Sequence, residues 1–456
     1  MTPVRRARAW AAGTLALLSL GIAAPRAAAQ VDAPREAARV RQAFLHAWQG
    51  YERYAWGHDE LLPLSRGHRD WYPASFVMTP VDAYDTMLLM GLTGEAARAK
   101  TLILDSLNFD RDFPVQVFEI TIRLLGGLIS AYQMDGDPRF LGLAHDLGNR
   151  LLPAFGSPTG MPYRFVNLRT GAVSGPVSNP AEIGTLTLEF GTLSKLTGDP
   201  RYYEAAKRAV TALFDRRSAI GLVGSAIDVR TGAWVDKDSH VSGGIDSYYE
   251  YLLKAWLLFR DPDFRRMWDS SIAAVNRYLP DERPTGLWYG HAGMDTGART
   301  LTHFGALDAY FAAVLAKSGD TARAGRLMQS IYRMWTTFGI EPEELDYVTM
   351  QATAPGYVLR PEALESAYYL YRITGEERYR GMARVMVDSL LHYCGAETGD
   401  AALRSVVTKE QIDQMESFFL AETLKYSYLI FAPRAALDFD AVVFNTEAHP
   451  IRRTWR

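Results

Sequence analysis

The chain has 456 residues, of which 48% are hydrophobic and 22% are charged, and its formal net charge at pH 7 is −3. This balance is typical of a globular enzyme and argues against a nucleic-acid partner, which requires a strongly basic face. The single cysteine, Cys394, excludes a disulfide within the chain, so the fold must be stabilised by its core alone.

The N-terminus predicts a secretory signal peptide over residues 1–29. Three arginines are followed by an apolar run and by small residues before Gln30. The run, about 14 residues, is shorter than the roughly 20 that a membrane span needs. The small residues Ala27, Ala28 and Ala29 at the cleavage site and the lack of a longer anchor favour a bacterial export route, so we expect a periplasmic or secreted protein. Its mature chain would be one domain over residues 30–456, monomeric and without a membrane span. A retained lipid or membrane anchor is the alternative.

A weak repeat of about 60 residues follows, and each repeat holds two helices. The first helix is apolar on nearly all sides, and the second begins at an acidic or glycine-containing turn and is amphipathic. Such pairs stack into an open solenoid or a closed ring, with the apolar helices inside. The expected starts of the inner helices are Asp82, Glu119, Glu182, Asp246, His303, Glu362 and Glu416.

Three segments rich in Gly, Pro and aromatic residues interrupt this pattern: 57–79, 155–180 and 339–360. They predict loops and short hairpins across the mouth of a ring, where a substrate site would be shaped. Residues 218–240 predict a β-hairpin around Thr231 and Gly232.

Acidic residues recur where the inner helices are expected to begin. In a closed ring the inner helices run in the same direction, so these carboxylates would meet at one end. A carboxylate in the first turn of a helix is also stabilised by the helix dipole, which is the simpler explanation for any one of them. Several together raise one another's pKa, which is tolerable if they serve catalysis, a cation or both.

Five phrases carry a resemblance to a known family. They are VQVFEITIRLLGG (115–127), IDSYYEYLLKAW (245–256), LRPEALESAYYLYRITG (359–375), ESFFLAETLKYSYLIFA (416–432) and FNTEAHP (444–450). In wording, order and position they resemble family 47 of the glycoside hydrolases, the inverting α-1,2-mannosidases. The resemblance covers most of the chain. It implies an all-α (α/α)7 barrel with small β-hairpins and loops at its mouth, which agrees with the count of seven inner helices.

The resemblance also implies roles for three carboxylates. Glu119 matches the general acid, which protonates the leaving oxygen through a water, and Glu362 matches the proposed general base. Asp246 matches a third essential carboxylate, and whether Asp246 or Glu362 is the base stays open. Arg123 lies one helical turn after Glu119, where it can pair with that carboxylate.

The same resemblance implies a Ca²⁺ cofactor. Thr446 matches the residue that holds the ion through its hydroxyl and main-chain carbonyl, while waters fill most other positions. A hard cation with six to eight oxygen ligands suits this arrangement. The carboxylates that match the holders of those waters are Glu362, Glu365, Glu416, Glu422 and Glu447. His449 has no companions at the spacing of a zinc site.

The resemblance also implies a set of substrate-binding residues, to which we give less weight than to the three carboxylates. They are Arg123, His303, Arg360, Glu365, Phe418, Glu422 and Glu447. Arg360 would form a charged hydrogen bond near the base, and Phe418 would stack under the sugar. Glu182 or Glu189 could also line the pocket. Gly244 stands where endoplasmic-reticulum members carry an arginine, so the natural glycan and the branch preference stay open.

These features predict an exported, calcium-dependent, inverting exo-α-1,2-mannosidase. Its substrate would be the terminal α-1,2-linked mannose of a mannose-rich oligosaccharide or glycoprotein glycan. One alternative is a weakly active or non-catalytic glycan-binding protein of the same fold. Another is a different (α/α)-ring carbohydrate enzyme, such as a lyase or an epimerase.

Overall fold

Two concentric rings of helices make up residues 31–453, the part of the chain that the computed structural model describes. The expected signal peptide lies outside this part. The outer helices are Ala33–Tyr54, Thr93–Ser106, Pro138–Leu151, Pro200–Phe214, Pro262–Tyr278, Thr321–Phe338 and Glu377–Tyr393. The inner helices are Met78–Leu89, Val117–Ile120 with Gly126–Asp135, Pro180–Gly184 with Thr187–Thr197, Asp246–Phe259, Phe311–Ser318, Glu362–Thr374 and Leu424–Phe431.

Shorter helical segments complete these elements. π-helical turns occupy Thr121–Leu125, inside the second inner helix, and Phe419–Thr423, at the start of the last one. A 3-10 turn, Leu307–Tyr310, leads into the fifth inner helix, and two more cover Leu152–Phe155 and Arg434–Ala436.

The acidic turns between the rings begin the outer helices. Asp137, Asp199 and Asp261 each accept a hydrogen bond of 3.0 Å from the backbone N–H two residues later, and a proline follows each of them. Aspartate at the N-cap followed by proline is a favoured helix start. Gly136 and Gly198, with φ of 87° and 76°, end the preceding inner helices in the left-handed conformation. One short turn therefore ends an inner helix and begins an outer one.

The inner ring is closed. The first inner helix, Met78–Leu89, packs against both Gly126–Asp135 and the turn Phe419–Thr423 of the last one. Each outer helix packs on the inner helix before it, except Ala33–Tyr54, which covers Leu424–Phe431. In the inner helix Asp246–Phe259, every residue from Ser247 to Ala255 is buried. The predicted (α/α)7 barrel is thus confirmed over the open solenoid.

Short antiparallel strands connect the helices. They form the sets Glu60–Leu62/Gly67–Arg69, Pro114–Gln116/Phe165–Asn167/Val173–Ser174, Val177–Ser178/Ala226–Asp228/Trp234–Asp236, Asp238–Ser239/His291–Gly293/Arg299–Leu301, Pro280–Arg283/Gly286–Tyr289, His303–Gly305/Glu344–Asp346/Gln351–Ala354, Gly395–Ala396/Gly399–Asp400 and Val442–Phe444/Pro450–Arg452. The hairpin predicted around Thr231 and Gly232 is confirmed.

One predicted helix start was wrong. His303 begins a strand and pairs with Asp346, and helical conformation starts only at Leu307. The backbone of Gly305 lies against the Glu343 carbonyl, where an added Cβ would be 2.3 Å from the oxygen. This close strand contact excludes an α-helix over 303–305.

The hairpin Val442–Phe444/Pro450–Arg452 enters the inner ring, which the sequence had not predicted. The amide nitrogen of Asn445 donates to the Ile122 carbonyl at 2.9 Å and to Glu189 at 2.8 Å. The Lys425 ammonium donates to the Ala448 carbonyl at 2.7 Å. A Cβ on Gly126 would lie 2.5 Å from the Asn445 amide, so only glycine fits there. The hairpin therefore fills the barrel at the level of the middle of the inner helices.

Among residues 31–453, none of the helices combines the length and the apolar character that crossing a membrane requires.

Candidate active site

A cavity of about 350 Å³ opens where the inner helices begin. Asn179 of the 155–180 segment and Arg360 of the 339–360 segment line the cavity, and the turn of the C-terminal hairpin contributes to its wall. The 57–79 segment lies nearby, since the ring centre of Trp71 is 5.2 Å from the guanidinium carbon of the lining residue Arg123. Whereas His303 and Glu416 do not line the cavity, ten of the predicted site residues do: Glu119, Arg123, Asp246, Arg360, Glu362, Glu365, Phe418, Glu422, Thr446 and Glu447. The structure therefore brings together side chains that are up to 328 positions apart, between Glu119 and Glu447.

His303 lies outside this cavity. Its Nδ1 is 3.0 Å from a carboxylate oxygen of Glu344 on the neighbouring strand, because residue 303 is part of a β-sheet and not of an inner helix. Of the acids predicted with less weight, Glu182 lines the cavity, whereas Glu189 is buried against Tyr251 and Asn445. Glu416 pairs with Arg69 at 3.0 Å and is not among the lining residues.

Arg123 connects the cavity wall to the hairpin. Its Nε donates to Oε2 of Glu119 at 3.0 Å, as the spacing of four residues predicted, and its Nη1 donates to Glu447. Its Nη1 also lies 3.7 Å from Asp82. The guanidinium is buried, so these charge-assisted hydrogen bonds fix the Glu119 carboxylate in one orientation.

Two of the lining residues lie on the π-helical turns. Arg123 is in Thr121–Leu125, and Glu422 is in Phe419–Thr423. A π turn inserts one residue into a helix and re-aims the side chains around it, and such turns are frequent at functional sites. Nothing in the local sequence distinguishes these turns from ordinary helix, so the sequence could not have predicted them.

Asp246 and Glu362 each stand at the first position of an inner helix. Burial raises the pKa of the Asp246 carboxyl to about 6, although the amide and hydroxyl of Ser247 lower it. Burial raises the pKa of Glu362 to about 7, with Arg360 opposing the shift. Oε2 of Glu362 is buried and has no hydrogen-bond partner among residues 31–453. Carboxyl groups with pKa values close to neutral are suited to general acid–base chemistry.

The wall near the hairpin turn carries an excess of carboxylates. Burial and the neighbouring Glu447 raise the pKa of Glu422 well above its usual range. Burial raises the pKa of Glu447 to about 8 against the effect of Arg123, and it raises the pKa of Glu365 to about 8 against that of Lys254.

This donor set fits a hard cation. The half-buried Thr446 hydroxyl and several carboxylates offer only oxygen, the ligand that Ca²⁺ prefers. A divalent cation would also relieve the repulsion that raises these pKa values. Glu362, Glu365, Glu422 and Glu447 could hold the water shell of such an ion.

Phe418 lies close to two arginines. The guanidinium carbons of Arg123 and Arg360 are each 5.6 Å from the centre of its ring. Nε of Arg360 in turn donates to Oε2 of Glu343 at 3.0 Å. The ring therefore has a fixed position at the cavity wall, as a stacking platform for a sugar requires.

Several lining residues were missed. Glu250 follows Asp246 by one helical turn, so the spacing on one helix face was a usable signal. Tyr310, whose hydroxyl donates to the Asp246 carbonyl at 2.7 Å, and Gln116 and Asn179 come from segments without such a pattern.

The barrel and its acidic pocket define an (α/α)-barrel protein of the glycoside hydrolase type. The chain belongs to glycosyl hydrolase family 47, whose family model matches residues 43–453.

Individual relatives agree with this assignment. The "ER degradation-enhancing alpha-mannosidase-like protein 2" of Homo sapiens is 39% identical over 449 residues, covering 91% of this chain and 77% of the relative. The human "Mannosyl-oligosaccharide 1,2-alpha-mannosidase IB" is 35% identical over 444 residues, covering 91% and 69%. The solved structure of the alpha-1,2-mannosidase from Trichoderma reesei superposes with a TM-score of 0.85 at 30% identity, covering 92% of this chain and 99% of the other. All three come from eukaryotes, so they lend no support to the expected bacterial source.

Proposed function

We propose that the protein is a calcium-dependent, inverting exo-α-1,2-mannosidase that removes terminal α-1,2-linked mannose from mannose-rich glycans. One observation carries the proposal: Glu119, Asp246 and Glu362 lie in the first turns of three different inner helices and line one cavity together with Thr446. The family membership and the activities named for two relatives, the human IB enzyme and the Trichoderma enzyme, support the substrate class.

In this proposal Glu119 and Glu362 have distinct roles, and Asp246 is a third essential carboxylate. Glu119, oriented by Arg123, gives a proton through a water to the leaving oxygen. Glu362 takes a proton from the water that attacks the anomeric carbon, and its unpaired Oε2 is available for it. Thr446 would hold Ca²⁺, which when bound supplies a positive charge for the 2- and 3-hydroxyls of the sugar. Phe418 and Arg360 position the sugar ring.

The shape of the site favours action on chain ends. The C-terminal hairpin fills the barrel below the cavity, so the cavity is a pocket rather than a channel. A glycan can therefore enter with one terminal residue but cannot pass through. This is the geometry that an exo-acting hydrolase needs.

Removal of the metal should abolish most of the activity. We expect EGTA to inactivate the enzyme on α-1,2-linked mannobiose, and Ca²⁺ to restore turnover better than Mg²⁺ or Zn²⁺, because threonine and waters form a large, flexible oxygen shell. Thr446→Val should weaken the Ca²⁺ affinity measured by calorimetry, whereas Thr446→Ser, which keeps the hydroxyl, should retain it better. Full activity of the metal-free protein would contradict the calcium assignment.

The anomeric configuration of the released mannose tests the roles of the catalytic carboxylates. A water that attacks from the face opposite the leaving group inverts the anomeric carbon, so the α-linked substrate should release β-mannose first. Proton NMR spectra recorded before mutarotation equilibrates the product report the anomer directly. Initial α-mannose would indicate a retaining double displacement and would refute the assignment of Glu362 as a general base.

A non-catalytic glycan-binding protein is the second candidate. The observation that favours it is the 39% identity to the human ER degradation-enhancing alpha-mannosidase-like protein. Tight binding of the mannobiose by calcium-loaded protein without release of mannose would support this candidate over the hydrolase. A lyase or an epimerase would give an unsaturated or epimerised product instead. Export, bacterial origin and the monomeric state belong to the same proposal and rest on the sequence alone.

A further inference from the structure

A second cluster of metal-binding side chains lies beside the pocket. Asp238 is on a strand that pairs antiparallel with the strand His291–Gly293, and His240 follows on the way to Asp246. One ligand atom from each of Asp238, His240 and His291 lies within 4.8 Å of the other two. We propose that these three side chains bind one divalent transition-metal ion, for which Zn²⁺ is the best fit.

The arrangement of the rings suits a shared ion. Nδ1 of His291 is 2.6 Å from Oδ2 of Asp238, and the ring centres of His240 and His291 are 4.4 Å apart with a tilt of 31°. Two imidazoles bound to one zinc at about 2.0–2.1 Å in a tetrahedral site have ring centres roughly 5 Å apart, so a shift of the rings by less than about 1 Å from their present separation would admit the ion. The ion would take the place of the proton shared by Asp238 and His291. The backbone N–H of Ser242 donates a long hydrogen bond of 3.2 Å to Nδ1 of His240. A small rotation of the His240 ring would break this hydrogen bond.

The surroundings of the cluster favour a cation. The Thr300 hydroxyl donates to Oδ1 of Asp238 at 2.7 Å and leaves Oδ2 facing the histidines, as the partners of metal-binding carboxylates commonly do. Asp308 and Glu344 act electrostatically on His291, and Asp236 acts on His240. These three carboxylates add negative charge around the proposed ligands.

The neighbouring basic side chains do not bind the three ligand side chains. The Lys237 ammonium donates to Asp295 at 2.8 Å, and the Arg299 guanidinium donates to the carbonyls of Leu279 at 2.9 Å and of His291 at 3.0 Å. Both histidines are buried, whereas a quarter of the Asp238 side chain is exposed and gives the ion an entry route.

The ligand chemistry separates this cluster from the acidic pocket. Two imidazoles and one carboxylate suit Zn²⁺ and similar ions, whereas the oxygen-only set near Thr446 suits Ca²⁺. A bound ion would tie two strands to the turn that leads into Asp246, whose N–H donates to the Ser242 carbonyl at 3.0 Å. We therefore assign the cluster a structural role in holding the wall of the pocket.

Zinc stoichiometry tests the proposal without any reference to mannosidase activity. The full-length protein is stripped with EDTA, saturated with Ca²⁺ to occupy oxygen sites, and titrated with Zn²⁺. After desalting, elemental analysis should find about one Zn²⁺ per chain, and Co²⁺ in place of Zn²⁺ should give visible absorption bands. Asp238→Asn and His291→Ala should each weaken Zn²⁺ binding by at least tenfold. Zn²⁺ should raise the Tm of the unmodified protein more than that of either variant.

His303→Ala is the matched control, because His303 lies on a nearby strand but outside the cluster. It should bind Zn²⁺ as the unmodified protein does. Asp238→Asn changes no volume at a partly exposed position, so circular dichroism should show a folded variant even if His291→Ala unfolds. Either of two results would overturn the proposal. The first is that the unmodified protein retains no zinc, and the second is that the folded Asp238→Asn variant binds zinc with unchanged affinity.

Discussion

Glu362→Gln should lower kcat on α-1,2-linked mannobiose by about 10²–10⁴-fold, the contribution typical of a general base. The carboxyl is buried, its pKa is raised to about 7, and its Oε2 has no hydrogen-bond partner in the described part of the chain. Glutamine has the same shape but cannot take a proton from water. The Tm should therefore change little while turnover falls, and both are measured on the same preparation.

Two comparisons sharpen this result. Glu410→Gln, at an exposed glutamate that pairs with Arg404, should keep normal turnover. Added azide should restore product formation in Glu362→Gln, because an anionic nucleophile needs no base, and the product should be β-mannosyl azide. If azide instead restores product formation in Asp246→Asn, the general base is Asp246. A kcat close to that of the unmodified enzyme in Glu362→Gln would remove this residue from the mechanism.

Lys425→Met should reduce the free energy of unfolding by about 3–5 kcal/mol, as loss of one partner of a buried ion pair commonly does. The Lys425 ammonium is fully buried, lies 2.7 Å from Oδ1 of Asp85 and donates to the Ala448 carbonyl of the hairpin. Burial raises the pKa of Asp85, but Lys425 and His449 outweigh this effect and hold the value at about 2. Methionine would leave Asp85 with a single cationic partner and release the hairpin turn.

Urea denaturation measures this loss, and Arg139→Met is the matched control. Arg139 pairs with Asp137 at 2.7 Å on the surface, where an ion pair contributes little to stability because solvent screens it. Equal destabilisation by the two substitutions would contradict the anchoring role of Lys425. Lys425→Met should also weaken Ca²⁺ binding, since Thr446 and Ala448 lie in the same turn.

The sequence was sufficient for the features that repeat along the chain. Apolar and amphipathic helices alternate with a regular period, so the two rings could be predicted, and Asp246 and Glu362 begin their helices as expected. The hairpin that fills the barrel was not predictable, because its position depends on contacts with residues such as Ile122 and Lys425 that lie far away in sequence. The π turns and the strand at His303 likewise result from tertiary contacts that override local preference.

The C-terminal hairpin also sets the order in which the protein becomes competent. Residues 442–452 follow the fourteen ring helices of the described residues 31–453, so a ribosome adds Thr446 and Glu447 after the other walls of the pocket have been synthesised. A chain that stops before residue 442 lacks the hairpin at the axis of its barrel and the threonine proposed to hold the ion. In the proposed mechanism, sugar binding therefore requires synthesis of this hairpin, and we expect chains that stop before it to be inactive as well as unstable.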